Sequence, residues 1–146
     1  MLLTLFLNSL LVAVAVVIHH EVLNGLFMLG HRLKLRRNLG VLMGVFGALI
    51  GHVAEIWMFA FGYYFMYHSP HFGTLTGNFD GTLLDCAYFS FTTYTSLGFG
   101  DVEPHGELRF TAGLEALTGL VLITWTASFL FLKMQRYWKR YEEQEG

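Results

Sequence analysis

Two glycines alternate with larger residues in one short segment, which reads Thr95-Ser96-Leu97-Gly98-Phe99-Gly100-Asp101. Glycine adopts positive φ values at little steric cost, so Gly98 and Gly100 can turn alternate carbonyls of an extended strand toward one axis. At membrane depth, irregular backbone of this kind survives only where it is buried or lines a path for water or ions. The segment is therefore the leading candidate for a site, and the groups that act there would be backbone carbonyls.

A second candidate set consists of ionisable residues inside apolar stretches: His19, His20, Glu21, His52, Glu55 and Glu115. Ionisable residues within a membrane are candidates for function by default. His52 and Glu55 are three residues apart and therefore share a helix face. Either of them could pair with Glu115 and hold two helices together, and a histidine beside a carboxylate could also sense protons near neutral pH. Both interpretations stay open.

Three adjacent residues in this set, His19, His20 and Glu21, have the side-chain types of metal ligands. Neighbouring residues on a helix point about 100° apart, so all three cannot face one ion. We expect them to form a polar end of a membrane helix near the headgroups. His68 and His71 are expected to be surface residues of a loop.

The composition indicates the elements that must position these residues. Of 146 residues, 54% are hydrophobic and 14% charged, and the mean hydropathy is +0.48, whereas about a quarter of the residues of soluble domains are charged. Asp, Glu, Lys and Arg are absent from residues 1–20, 38–54, 56–79 and 116–132. This pattern excludes a disordered chain and a nucleic-acid binder with a basic surface, and the single cysteine, Cys86, excludes a disulfide scaffold.

Three stretches are long enough to cross a membrane, since a bilayer core of about 30 Å needs about 20 helical residues. They are residues 2–29, 39–66 and 107–132. Polar residues from His19 onward interrupt the first, so we expect a span over 2–20 followed by an interfacial segment. We expect the tyrosines at the end of the second stretch, from Tyr63 to Tyr67, to lie in an aromatic belt at the membrane–water interface.

Basic residues predict the orientation, because Lys and Arg are enriched in cytoplasmic loops. Eight of the nine flank the same ends of the spans: Arg32, Lys34, Arg36, Arg37, Lys133, Arg136, Lys139 and Arg140. We therefore expect an integral protein of the plasma (inner) membrane with its N-terminus outside and its C-terminus in the cytoplasm. The basic inner face would attract anionic lipid. Residues 67–107 would face outward, where their acidic side chains concentrate cations.

A short helix is predicted directly before the glycine segment. Thr82 and Asp85 have the spacing of a capping box, with an acidic group near the positive helix end. The helix would run over residues 82–94, which is too short to cross the membrane.

The short helix and the glycine segment together resemble the tetrameric potassium-channel pore family of small prokaryotic type. The segment Ser96-Leu97-Gly98-Phe99-Gly100-Asp101 is similar to the family's T-V-G-Y-G-D filter. Pro104, the aromatic-rich helix from Tyr88 to Thr93, and Gly119 in the last span also match family positions. The resemblance covers about residues 39–134.

The resemblance implies an all-α membrane protein with three transmembrane helices, a re-entrant pore helix and a filter loop, assembled with fourfold symmetry. Its predicted parts are an N-terminal helix (1–30), a cytoplasmic basic loop (31–38), a pore domain (39–134) and a short cytoplasmic tail (135–146). Within the pore domain they are an outer helix (39–66), a pore helix (82–94), a filter (95–100) and an inner helix (107–134).

The family also implies roles for single residues. The filter would comprise Thr95, Ser96, Leu97, Gly98, Phe99 and Gly100, with K⁺ held at Ser96, Leu97, Gly98 and Phe99. Asp101, Tyr88, Phe89 and Thr92 would support it, with Leu97 and Phe99 set in a cuff of Tyr88 and Phe89. Gly119 would be a gating hinge or simply a point of close helix packing.

The departures from the family pattern matter as well. Ser96 replaces a threonine and Phe99 a tyrosine, while Thr92 stands where some relatives have a buried Glu paired with the filter Asp. We therefore expect a passive K⁺ channel, a homotetramer that is not an enzyme, needs no cofactor apart from K⁺ in the filter, and binds no nucleic acid. A weakly selective monovalent cation channel is one alternative, and a small haem or redox protein of the membrane is another.

Overall fold

The computed structural model of the chain describes the backbone of residues 1–33 and 37–145, and their side chains except at 31, 37, 38 and 136–145. The described part holds four helices and two short strands: α1 (Leu2–Arg32), α2 (Arg37–Tyr67), β1 (Leu75–Gly77), α3 (Leu83–Tyr94), β2 (Val102–Pro104) and α4 (Leu108–Glu145). Residues 34–36 of the predicted basic loop lie outside the described residues. The predicted tail begins within α4, which continues past residue 134 to Glu145.

Three of these helices are long and apolar enough to cross a membrane, over Leu2–Gly30, Leu39–Tyr67 and Leu108–Gln135. Large apolar side chains such as Val17, Ile50 and Leu120 are exposed on them, which suits contact with lipid or with other chains rather than with water. The predicted fold class, a helical membrane protein with three spans, is confirmed.

The first helix is unbroken, which corrects the expectation of a span that ends near residue 20. His19 does not need the headgroup region, because its side chain is buried against α2 and hydrogen-bonds there. Small residues bring α1 and α2 close together. A Cβ at Gly47 would overlap the side chain of Leu26, and a Cβ at Gly51 would lie 2.9 Å from Val22 Cγ1.

The short helix α3 begins at the predicted capping box. The backbone N–H of Asp85 donates to Thr82 Oγ1, and the N–H of Thr82 donates to Asp85 Oδ2, both at 3.1 Å. The hydrogen bond with the Thr82 side chain is the main cause that lowers the pKa of Asp85. The helix packs between α2 and α4 and buries Cys86, Ala87, Phe89, Ser90, Thr92 and Tyr94.

A pair of antiparallel strands, β1 and β2, was not predicted from the sequence. Leu75 pairs with Pro104, Thr76 with Glu103 and Gly77 with Val102. Next to this pair, the N–H of Asn78 donates to the carbonyl of Asp101 at 2.8 Å. The strands therefore attach the loop that follows α2 to the outer end of the glycine segment.

Candidate functional site

The backbone of the glycine segment alternates in conformation. Ser96, Gly98 and Gly100 have positive φ values of 56°, 48° and 76°. The glycines have the values predicted for them, whereas the positive φ of Ser96 was missed because an L-residue normally avoids this region, at a cost of about 1–2 kcal/mol. The available clue was the period, since Ser96 lies two residues before Gly98. Every second residue from 96 to 100 therefore lies in the left-handed region of φ.

The inner part of the segment is tied to the end of α3. The carbonyl of Thr92 accepts from the N–H of Leu97 at 2.9 Å and from the N–H of Gly98 at 3.1 Å, while the N–H of Ser96 donates to the carbonyl of Thr93 at 2.9 Å. The last carbonyls of a helix lack partners within the helix, so the segment supplies them. Thr92 therefore contacts the segment through its backbone carbonyl, while its hydroxyl donates to the Phe89 carbonyl at 3.0 Å; its role in supporting a filter stays a prediction.

The outer part of the segment is held by one side-chain hydrogen bond. The hydroxyl of Tyr88 donates to Asp101 Oδ2 at 2.8 Å, and this bond raises the pKa of Tyr88. The phenol therefore stays protonated and keeps its donor. Asp101 thus has a partner on α3 although position 92 carries no carboxylate, and that partner stands one helical turn earlier.

The side chains of the segment lie on the surface of the chain. Residues 95–100 are all exposed, Leu97 to 59% and Phe99 to 65%. Phe89, which was expected beside them, instead packs its ring edge-on against Tyr63, with ring centroids 4.9 Å apart. This differs from the predicted cuff, because α3 turns the Phe89 ring toward α2 and into the core of the chain.

Glu115 forms a buried cluster with α2 and α3, which corrects its predicted pairing with His52 or Glu55. The hydroxyls of Tyr63 and Ser90 each donate to one carboxylate oxygen of Glu115 at 2.5 Å. Ser90 Oγ also lies 2.8 Å from the carbonyl of Ile56. Tyr63 is fully buried here, so its predicted place in an interfacial aromatic belt is wrong. The bonds of Ser90 and Tyr63 to Glu115 were not predicted from the sequence, because a hydroxyl group alone does not indicate its hydrogen-bond partner.

His52 and Glu55 belong to a second buried cluster, one that includes α1. The predicted neighbours do pair, at 3.1 Å from His52 Nδ1 to Glu55 Oε2, but the third member is His19, whose Nδ1 lies 2.9 Å from Glu55 Oε1. The hydroxyl of Tyr94 also donates to Glu55. His19 is 2% exposed, so its side chain is enclosed by the helices, and its expected position near the headgroups stays a prediction. Its partner, 36 residues away, could not be identified from the sequence.

A family model described as an ion channel matches residues 39–136. This range includes the glycine segment, α3, most of α2 and α4, and both buried clusters except His19. The chain belongs to this ion channel family. The channel is also 37% identical over 94 residues to Protein LctB of Geobacillus stearothermophilus, an alignment that covers 63% of the channel and 68% of LctB. No solved structure matches it. Membership of this family indicates a transport protein rather than an enzyme.

Gly119 lies where α4 meets the end of the short helix of the channel. A Cβ at this position would overlap the carbonyl oxygen of Tyr94, the last residue of α3. Gly113, by contrast, has open space beside it within the chain. Close packing therefore accounts for Gly119 on its own, and its role as a hinge stays a prediction.

The start of α1 lies beside the start of α4. The terminal amine of Met1 lies 2.8 Å from Glu107 Oε1, and the hydroxyl of Thr4 also donates to that carboxylate. The bond to the terminal amine is the main cause that lowers the pKa of Glu107. The beginning of α1 and the strand pair β1–β2 therefore lie at the same end of the channel.

At the other end of the three long helices, the side chain of Lys133 points inward. Its ammonium nitrogen would lie 3.6 Å from a Cβ at Gly30 and 3.5 Å from a Cβ at Gly44, so the side chain packs among α1, α2 and α4. This differs from the free surface position that lipid binding would need. The side chains of Arg136, Lys139 and Arg140 lie outside the described residues, so binding of anionic lipid there stays a prediction.

Proposed function

We propose that the channel conducts K⁺ passively across the membrane through a pore lined by residues 95–100. The observation that carries this proposal is the alternating positive φ of Ser96, Gly98 and Gly100. A row of carbonyls facing one axis, together with the hydroxyl of Ser96, supplies the oxygen ligands that replace the hydration shell of a K⁺ ion. The ion sites would lie at Ser96, Leu97, Gly98 and Phe99.

The pore would be completed by four copies of the chain. The glycine segment is exposed on one chain, and the large apolar side chains of Leu97 and Phe99 are uncovered there. Each chain has a single such segment. Closed cyclic assembly would surround an axis with identical segments, and neighbouring chains would cover Leu97 and Phe99. A homotetramer is therefore the assembly we propose.

Selectivity for K⁺ would depend on how firmly the segment is held. The bonds from Leu97 and Gly98 to Thr92 and from Tyr88 to Asp101 hold it at both ends. Ser96 and Phe99 lack groups that the family motif carries at these positions, so loss of selectivity is the outcome that would favour the weakly selective cation channel.

The proposed orientation places the outer loop outside the plasma membrane, together with the N-terminus. The loop and the residues around β2 carry Asp80, Asp85, Asp101, Glu103 and Glu107 and no Lys or Arg. This acidic surface would raise the local concentration of cations at the mouth of the pore. The C-terminus would then lie in the cytoplasm.

The arrangement of the buried histidines argues against the haem alternative. His19 and His52 both direct Nδ1 at the carboxylate of Glu55, and their ring centroids are 5.3 Å apart. A haem between two histidines needs the ligand nitrogens on opposite faces of its plane, which this shared contact does not provide.

The proposal is tested by ion flux into proteoliposomes that contain the purified channel. Under equal gradients we expect K⁺ uptake that Ba²⁺ blocks, with Na⁺ uptake lower by more than about tenfold. Equal uptake of both ions would favour the weakly selective channel. Uptake of neither ion, compared with empty liposomes, would contradict conduction altogether.

A further inference from the structure

A buried group of nitrogen and oxygen atoms lies where α1 and α2 meet the end of α3. One ligand atom each from His19, His52 and Glu55 lies within 4.8 Å of the others. His19 and Glu55 are buried and His52 is partly buried. The Tyr94 hydroxyl lies 2.9 Å from His52 Nδ1 on the same side of the group.

We propose that this group binds a divalent transition metal ion of the zinc type. The ligands would be His19 Nδ1, His52 Nδ1 and the carboxylate of Glu55, with the Tyr94 hydroxyl beside the fourth position. Imidazole nitrogen and carboxylate oxygen are ligands that Zn²⁺ takes in proteins, and three protein ligands with a fourth position open to another group are a common arrangement.

The hydrogen bonds on the far side of both imidazoles support this assignment. Nε2 of His52 lies 3.0 Å from Thr126 Oγ1, and Nε2 of His19 lies 3.4 Å from the same oxygen. With a metal on both Nδ1 atoms, each Nε2 carries a hydrogen, and a hydroxyl oxygen has two lone pairs to accept both. Metal-binding histidines usually donate their other ring N–H to an oxygen in this way.

The carboxylate of Glu55 would neutralise one of the two charges of a divalent ion bound between it and two neutral imidazoles. The ring of Trp125, whose centroid is 5.2 Å from that of His19, encloses the site further.

Bound metal would join α1 to the pore domain. His19 lies outside the range 39–136 that matches the ion channel family, while Tyr94 immediately precedes the glycine segment. The ion would therefore fix the position of α1 against the end of the short helix. This inference does not depend on the proposed K⁺ conduction.

Metal binding to the full chain in detergent tests the proposal. After dialysis against a chelator, the protein is titrated with Co²⁺, whose visible absorption reports four-coordinate nitrogen and oxygen ligands, and then with Zn²⁺. We expect about one ion per chain, released Co²⁺ on addition of Zn²⁺, and at least tenfold weaker binding in His19→Ala, His52→Ala and Glu55→Gln.

His20→Ala is the matched control, because His20 is the neighbour of His19 on α1 but is exposed; it should bind like the unmodified chain. Helix content by circular dichroism shows whether each variant folds. Absence of Co²⁺ absorption in the unmodified chain overturns the proposal whatever the variants do, and so does equal binding in His19→Ala and His20→Ala. A chain that conducts K⁺ without binding metal would contradict this site alone.

Discussion

The glycine segment and the two buried clusters hold their shape in opposite ways. The segment is exposed and is positioned mainly by its own backbone, through positive φ values and bonds from Leu97 and Gly98 to Thr92. The clusters are buried and are built from side chains on different helices, around Glu115 and Glu55. Changes in the segment should therefore alter conduction with little loss of stability, whereas changes in the clusters should first destabilise the helix packing.

The largest effect on conduction is expected from Gly98→Ala. An L-residue in the left-handed region costs about 1–2 kcal/mol, and the proposed tetramer would bear this cost in every copy. A Cβ meets open space at Gly98 within the chain, so the effect arises from φ rather than from a clash. We expect K⁺ uptake by proteoliposomes to fall more than about tenfold.

Gly113→Ala is the matched control for this change. It also has open space beside it, but it lies within α4 and has no positive φ. K⁺ uptake by this variant should equal that of the unmodified channel. Equal uptake by Gly98→Ala would show that conduction does not require the positive φ of Gly98.

The largest effect on stability is expected from Glu115→Leu. This change leaves the hydroxyl of Tyr63 without its buried acceptor, at about 1–3 kcal/mol for an unsatisfied group. Ser90 also loses a partner, but its hydroxyl can still donate to the carbonyl of Ile56. Thermal unfolding in detergent, followed by circular dichroism, should show a clear fall in midpoint.

Glu115→Gln provides the comparison, since the amide oxygen still accepts one of the two bonds. The unfolding midpoint of Glu115→Gln should fall less than that of Glu115→Leu. Equal midpoints for Glu115→Leu and the unmodified chain would show that this cluster does not hold the helices together.

A smaller effect, on selectivity rather than on stability, is expected from Tyr88→Phe. It removes only the donor to Asp101, a bond to a charged group worth about 1.5–3 kcal/mol at most, and less at an exposed site. The ratio of K⁺ to Na⁺ uptake should fall. Tyr64→Phe, a change at an equally exposed tyrosine of α2, should leave the ratio unchanged. The same ratio in both variants would show that selectivity does not depend on the bond from Tyr88 to Asp101.

The smallest effect is expected from Thr82→Ala, which removes half of the capping box of α3. Loss of such a cap costs about 1 kcal/mol. The pKa of Asp85 is lowered in the folded chain. The stability that its carboxylate contributes is therefore present above the ordinary pKa of an aspartate and is lost as the pH falls through the lowered pKa. Unfolding midpoints near pH 7 and near pH 3 should therefore differ less in Thr82→Ala than in the unmodified chain.

Local features of the channel could be predicted from the sequence. The capping box of α3 and the positive φ of Gly98 and Gly100 follow from residue type and near spacing. The three spans follow from apolar length. The positive φ of Ser96 could not be predicted with the same ease, because it depends on contacts with α3 that offset the cost for an L-residue.

The partners of the buried carboxylates could not be predicted. They depend on how each helix is rotated about its axis, and the bonds join Glu55 to His19 and Glu115 to Tyr63, which are 36 and 52 residues apart. The strand pair was missed for another reason. Each strand has three residues, too few to show an alternating pattern within a loop rich in glycine.

The most direct test of the central claim compares two mirror-image residues at one position. D-alanine adopts positive φ as readily as L-alanine adopts negative φ, so a semisynthetic channel with D-alanine in place of Gly98 keeps the backbone conformation while adding the same methyl group. K⁺ uptake into proteoliposomes should be retained with D-alanine and lost with Gly98→Ala. Equal loss with both residues, or equal retention, would contradict a pore built on the positive φ of this segment.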